Sequence, residues 1–306
     1  PLTVDEPTVT MTFQVNKSPF AGQEGKYLTT RQISDRLDQE LIHNVALRVE
    51  PTPDPDKFKV SGRGELHLSI LIETMRREGY ELAVSRPEVI FKEIDGVRSE
   101  PYESVTIDVE EQFQGKIMEA IGERKGNLQD MVPDGKGRVR LDYMIPSRGL
   151  IGFHTDFMSM TSGTGLMHHV FDHYGVAHQG SLAERKNGVL ISNGVGKCLS
   201  FSLFNLQSRG KLFLGPGTQA YEGMIVGLHS RDNDLVVNPL KGKQLTNVRA
   251  SGTDEMIQLT PPIIFSLEQA LEFINDDELV EVTPESIRLR KTFLKEHERK
   301  KIARGG

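Results

Sequence analysis

The sequence predicts an α+β fold made of two tandem ferredoxin-like (βαββαβ) domains followed by a mostly-β C-terminal domain with a terminal helix. Three observations carry this expectation. The order strand, helix, strand, strand, helix, strand is spelled out twice before residue 176, with apolar periods that switch between 2 and 3.6 where each element requires it. From Ala177 onward the composition shifts to Gly and short β-like runs. The expected boundaries are 1–98, 99–176 and 177–306.

In the first unit, TVTMTFQVN sets Val9, Met11, Phe13 and Val15 against Thr8, Thr10, Thr12 and Gln14, the alternation of a half-buried strand. A Gly-, Ser- and Pro-rich loop follows. From Thr30 the spacing of Ile33, Leu37 and Leu41 is helical. Two strands, one with Leu47 and Val49 and one with Phe58 and Val60, are joined across PTPDPD, whose Pro and Asp residues enforce a turn. GELHLSILIETMRREGYE is a second helix, with Leu68, Leu71, Ile72 and Met75 on one stripe, and ELAVSRPEVIFK closes the unit in extended form.

The second unit, beginning after IDGVRSEP, repeats the order. ESVTIDVEE alternates around Val105, Ile107 and Val109, and Phe113, Ile117, Ala120 and Ile121 form a helical stripe. NLQDMVPDGKGRVRLDYMIP reads as two strands about an Asp-Gly turn. Ser147 is expected to cap one helix carrying Leu150, Phe153, Phe157 and Met160, and GLMHHVFDHY supplies the last strand.

In the third region GVLISNG, CLSFSLF and QAYEGMIVGLHS read as strands, with Leu199, Phe201 and Leu203 alternating against Ser200 and Ser202. RDNDLVVNPLKGKQLTNVRASGTDE reads as one long exposed loop. Ser266 caps a helix, a short β-like pair follows, and the chain closes in a basic helix.

Composition excludes several function classes. No apolar run approaches the roughly 18 residues of a bilayer span. A net charge of −6 argues against a protein that coats nucleic acid indiscriminately, though a local basic patch remains open. A single cysteine, Cys198, rules out an internal disulfide framework and a cysteine-built zinc site, as in the cytosol. The opening PLTVDEPTVT reads as the start of a piece cut from something longer.

No catalytic constellation emerges. GVGK fails as a phosphate loop, because Cys198 follows Lys197 where Mg²⁺ needs a hydroxyl and Ile191 stands where a Gly belongs. His168, His169, His173 and His178 crowd one region and suggest a metal-dependent hydrolase as a rival reading. On a strand, however, His169 and His173 would share a face roughly 13 Å apart at about 3.3 Å per residue, too far for one ion. Cys198 is expected to be a buried structural thiol. Two basic features remain. One is the loop with Arg231, Lys241, Lys243 and Arg249 among Asn238, Gln244 and Asn247, opposed by Asp232 and Asp234; such a loop can pair with phosphates while its amides read sugar or base edges, or it can be ordinary solvated surface. The other is the terminal helix, to which Arg288, Arg290, Lys291, Lys295, Arg299, Lys300, Lys301 and Arg304 are assigned.

Longer motifs carry a resemblance. VSGRGELHLSILIETMRREGYE resembles the third domain of elongation factor G, and PYESVTIDVEEQFQGKIMEAIGERKGNLQDM with IPSRGLIGFHTDFMSMTSGTGLMHHVFDHY resembles its fifth. GVLISNGVGKCLSFSLFNLQSRGKLFLGPGTQAYEGMIVG and KQLTNVRASGTDE resemble the C-terminal domain of the BipA (TypA) ribosome-associated GTPases, so that the likeness runs along essentially the whole chain. The resemblance implies an N-terminal GTPase domain, with its GTP and Mg²⁺, preceding Pro1, and a piece that holds no cofactor and turns over no GTP itself. It implies a cytoplasmic, monomeric partner of the ribosome. The first unit would buttress the GTPase domain and face the small subunit. The second would lie by the stalk base and sarcin-ricin region of the large subunit. The third would reach toward the A-site tRNA acceptor end, its RNA contacts carried by Arg231, Lys241, Lys243, Asn247 and Arg249. A protein-only interaction module is the alternative.

Overall fold

A computed structural model describes residues 6–180, 185–242 and 258–304. The first unit runs β1 (Val9–Gln14), α1 (Thr30–His43), β2 (Arg48–Pro51), β3 (Lys57–Gly62), α2 (Glu65–Arg77) and β4 (Leu82–Val84), with a short β5 (Glu88–Val89) beside β1. Its antiparallel order β4-β1-β3-β2 is that of the ferredoxin-like fold. The period-2 residues Val9, Met11 and Phe13 and the helical stripe Leu68, Leu71, Ile72 and Met75 are all buried, so the two patterns meet in one core. Helix α1 starts on a capping box in which Thr29 and Gln32 satisfy each other's orphan amides. Between β1 and α1 the chain wraps around buried Glu81, which accepts from the Asn16 side chain (2.8 Å) and from the Gly22 and Gly25 amides. Glycine is required at position 25 because a Cβ there would lie 2.4 Å from Glu81 Cβ.

The second unit comprises β6 (Lys92–Ile94), β7 (Val97–Glu110), α3 (Glu111–Glu123), β8 (Asn127–Pro133), β9 (Arg138–Pro146), α4 (Ser147–Leu150), α5 (Phe153–Met160) and β10 (Leu166–Val176). Its order β10-β7-β9-β8 repeats the first unit's. Val105, Ile107 and Val109 of β7 meet Leu141, Tyr143 and Ile145 of β9 under α3 and α5. The helix expected from Ser147 is interrupted: Gly152 takes a left-handed φ of 74° and divides α4 from α5, and Ser147 makes no capping bond.

The third region begins with β11 (Val189–Ser192), β12 (Gly196–Lys197), α6 (Ser200–Leu206), β13 (Gly210–Leu212), β14 (Gln219–Ala220), β15 (Ile225–His229) and β16 (Leu235–Val237). A sheet β13-β15-β11-β16 closes on a core of Leu190, Cys198, Leu203, Tyr221 and Val226, which Phe20 from the first unit also enters. CLSFSLF is therefore not a strand. Its buried positions are Cys198, Ser202 and Leu203, a helical spacing, while Leu199 and Phe204 stay exposed.

The chain then returns to the first unit. Helix α7 (Leu267–Phe273) starts on a Ser266–Gln269 capping box and lies beside α2, and the hairpin β17 (Glu278–Val282) and β18 (Ile287–Lys291) pairs with β4 at Val280–Val84. This extends the first sheet to β18-β17-β4-β1-β3-β2 and adds Leu267, Leu271, Ile274, Val280 and Val282 to the first core. Helix α8 (Glu296–Ala303) ends the described chain. No helix among the described residues is long and apolar enough to cross a membrane.

Candidate nucleic-acid interface

Of the five residues expected to touch RNA, Arg231 and Lys241 are described and exposed, whereas Lys243, Asn247 and Arg249 lie outside the described residues. Arg231 and Lys241 do not share one open loop. Between them β16 pairs in parallel with β11, Val237 is buried, and Leu240 packs toward Gly194. The hydrophobic run LVV inside the polar stretch is what ties it down, because a strand with one buried face gains more from the sheet than from solvent.

Arg231 sits in the turn between β15 and β16, where its backbone carbonyl accepts from the Gly188 amide (2.8 Å). The tight approach of the two segments fixes this turn, since a Cβ on Gly188 would fall 2.2 Å from the Asn233 carbonyl carbon. Asp234 does not neutralise Arg231. Its carboxylate is engaged by the Val189 amide (2.9 Å) and by Lys291 Nζ (2.6 Å), which leaves Asp232 as the acidic neighbour in the turn.

Lys241 lies at the entrance to residues 243–257, and both roots of that segment are fastened to α6. At the entrance, the Leu199 amide donates to the Pro239 carbonyl (3.1 Å) and the Ser202 hydroxyl to the Asn238 carbonyl. At the exit, Gln207, just past α6, donates to the Gln258 carbonyl (3.1 Å) and accepts from the Thr260 amide (3.1 Å). A second exposed cation, Lys197 on β12, stands by the entrance, where Leu240 also lies near Gly196. Ser202 was missed as a positioning group because CLSFSLF reads as an alternating strand, Gln207 because it stands beyond that run, and Lys197 because it is weighed only within GVGK; the spacing of Cys198, Ser202 and Leu206 is the signal that would have found the helix.

The terminal basic cluster is largely dismantled. Arg288, Arg290 and Lys291 belong to β18, not to α8. Arg288 pairs with Glu281 (2.9 Å) and Glu24, and Lys291 with Asp234, Asp277 and Glu278. Burial pushes the Arg290 guanidinium down, with Tyr221 and Glu281 opposing that effect. These cations hold the hairpin to its neighbours and are not available to phosphates. On α8, Lys300 pairs with Glu296, and Lys295 just before it pairs with Glu222.

The histidines also separate. A bulge at Asp172 turns His173 away from the side that His169 faces: His169 is opposite inward-facing Val105 and bonded to Glu103, while His173 is opposite Tyr102 and stacks on its ring at 5.3 Å. The two therefore do not share a face. Among the described residues no three His, Cys, Asp or Glu side chains are grouped to hold a metal ion. Cys198 is buried, and burial pushes its thiol up to about 11.

Comparison with known proteins agrees with this architecture. Residues 97–185 match the model of the elongation factor G C-terminus, and residues 187–296 match that of the TypA/BipA C-terminal domain. The chain is 69% identical over 303 residues to the large ribosomal subunit assembly factor BipA of Haemophilus influenzae. It is 68% identical over 304 residues to that of Salmonella typhimurium and 68% over 303 to that of Escherichia coli K12. Each match takes in 99% of this chain and 49–50% of the relative, so the chain spans about half the length of the curated relatives it matches. With both domain models in sequence order and 69% identity over 99% of its length, the chain matches a C-terminal portion of TypA/BipA proteins.

Proposed function

We propose that this chain is the ribosome-docking portion of a TypA/BipA translational GTPase and acts by shape and charge on ribosomal RNA, with GTP hydrolysis carried out elsewhere in the longer protein. The observation that carries the reading is the 68–69% identity along 99% of the chain to proteins named large ribosomal subunit assembly factors. The fastening of both roots of residues 243–257 on α6 supports it. The sequence between these roots carries Lys, Arg and Asn, residue types that suit phosphate and sugar contacts.

In this reading Arg231, Lys241, Lys243, Asn247 and Arg249 contact RNA at the large subunit, in the direction of the A site and the acceptor end of its tRNA. The second unit sits by the stalk base, and the first faces the small subunit and the GTPase domain. The protein works in the cytoplasm as a monomer, in ribosome assembly and translation under stress. The test is cosedimentation of the 306-residue chain with purified 50S subunits across a salt series. Binding whose logarithm falls linearly with the logarithm of salt is expected, with a slope of about −0.9 per phosphate neutralised for duplex contacts. Binding that ignores salt, or that survives on ribosomal proteins without RNA, would favour a protein-only module.

A further inference from the structure

Where α2, the helix side of the second sheet and α7 converge, they enclose a cavity of about 510 Å³. Its walls are apolar at Leu66, Leu150, Ile151 and Phe171 and acidic at Glu65, Glu103, Glu268 and Glu272. We propose that this cavity binds an aliphatic di- or polyamine, with one ammonium between Glu65 and Glu272, the methylene stem on the apolar wall and a second ammonium at Glu268 on the rim.

Glu65 is the anchor of the argument. It opens α2, its Oε1 is sealed from solvent, and that oxygen has no hydrogen-bond partner. A buried oxygen left unpaired is costly, and one facing a cavity marks the place where a ligand donor fits. Burial pushes its carboxyl up to about 8; the carboxylates of Glu272, Glu268 and Glu103 add to the rise and Arg86 opposes it. The other acids are unequally engaged. Glu103 is bonded to His169, and Glu272 accepts from the Thr155 hydroxyl with His154 nearby. Glu268 is exposed at the start of α7. The bases lining the cavity are Arg63, His154 and His169, of which His169 is occupied by Glu103. Glu6, also in the lining, pairs with Lys92, so the carboxyl groups not committed to an ion pair are Glu65, Glu272 and Glu268.

The chemistry of the walls selects the ligand. A bare divalent cation needs several converging oxygens, and among the described residues no such group is formed. An anion is repelled. A cation with an apolar body satisfies both the carboxylates and the hydrocarbon lining, which is the usual composition of a small-molecule site. The occupant would bridge three parts of the fold, α2 of the first unit, β10 and α4–α5 of the second, and α7.

The experiment is calorimetric titration of pentane-1,5-diamine, and of spermidine, into the 306-residue chain at pH 7.5 and fixed ionic strength, in two buffers of different protonation enthalpy. Saturable one-site binding with release of a proton is expected, because the ammonium favours the ionised form of Glu65. Glu65→Gln should abolish the proton release and weaken binding at least 10-fold. Glu268→Gln, on an exposed position that leaves folding untouched, should weaken the diamine several-fold, and pentane-1,5-diol should give no binding. Heats that do not saturate, or amine binding unchanged in Glu268→Gln and in folded Glu65→Gln, would overturn the proposal.

Discussion

Lys291 and Glu278 face each other across the β17–β18 hairpin, with Lys291 Nζ donating to Glu278 Oε1 at 2.9 Å and both side chains almost wholly buried. The pair is the centre of a larger group: Arg185 donates to both Glu278 oxygens (2.8 and 2.9 Å), and Lys291 also reaches Asp277 and Asp234. It joins the hairpin that extends the first sheet to the turn that carries Arg231.

Removing one member of a buried ion pair leaves the other uncompensated, at a cost of about 3–5 kcal/mol. Lys291→Met should fall near the lower end of about 3–5 kcal/mol, because Arg185 still holds Glu278. Burial pushes the Glu278 carboxyl up, but Arg185 and Lys291 outweigh this and hold it below the usual carboxylate range. Burial pushes Lys291 down, but Glu278 and its acidic neighbours raise it on balance. The Glu278 contribution is present above the ordinary carboxylate pKa and lost as pH falls through the lowered folded value. The Lys291 contribution is full below the ordinary lysine pKa and lost as pH rises through the raised one. Denaturation of both chains at each pH should give a stability difference between the parent and Lys291→Met that is constant between those limits and shrinks outside them. A difference near zero throughout would make the network ornamental.

Glu65 gives the opposite dependence. With its carboxyl pushed up to about 8, the folded chain holds a proton that the unfolded chain has released, so stability declines as pH rises from the ordinary carboxylate range toward about 8. The slope is at most about 1.4 kcal/mol per pH unit. Glu65→Gln should flatten the profile in that window and leave the variant more stable than the parent at pH 8, as read by urea denaturation at each pH.

The Cys198 thiol is buried and raised to about 11 by that burial, so at neutral pH it has neither access nor thiolate character. A colourimetric disulfide reagent should react with none of it in the native chain and with one equivalent in denaturant. Rapid native modification would show that α6 opens readily, and with it the roots of residues 243–257.

The fold was legible wherever one periodicity governs one face. Val9, Met11 and Phe13 name a strand, and Leu68, Leu71, Ile72 and Met75 a helix, without reference to anything distant. It was illegible where a short run satisfies two periods: Leu199, Phe201 and Leu203 alternate, yet Cys198, Ser202 and Leu203 are the buried ones, and seven residues are too few to decide. Charge misled at β18. Arg288 and Lys291 read as solvated helix because Glu24 and Asp234, which engage them, are remote in sequence and unite only in the fold. The His169 and His173 relation turned on a single bulged residue, Asp172, which carries no Gly or Pro to announce it. Of the candidate interface, the cations were visible in the sequence, and the fastening of Asn238, Pro239, Gln258 and Thr260 at the two ends of α6 was not.

The most direct test of the docking account is cosedimentation with 50S subunits of a chain in which Lys241, Lys243 and Arg249 are changed together to Ala. The account predicts an unchanged circular dichroism spectrum, binding weakened at moderate salt and a shallower salt dependence, reduced by about one unit of slope per lost phosphate contact. Parent-like binding at every salt concentration would contradict it.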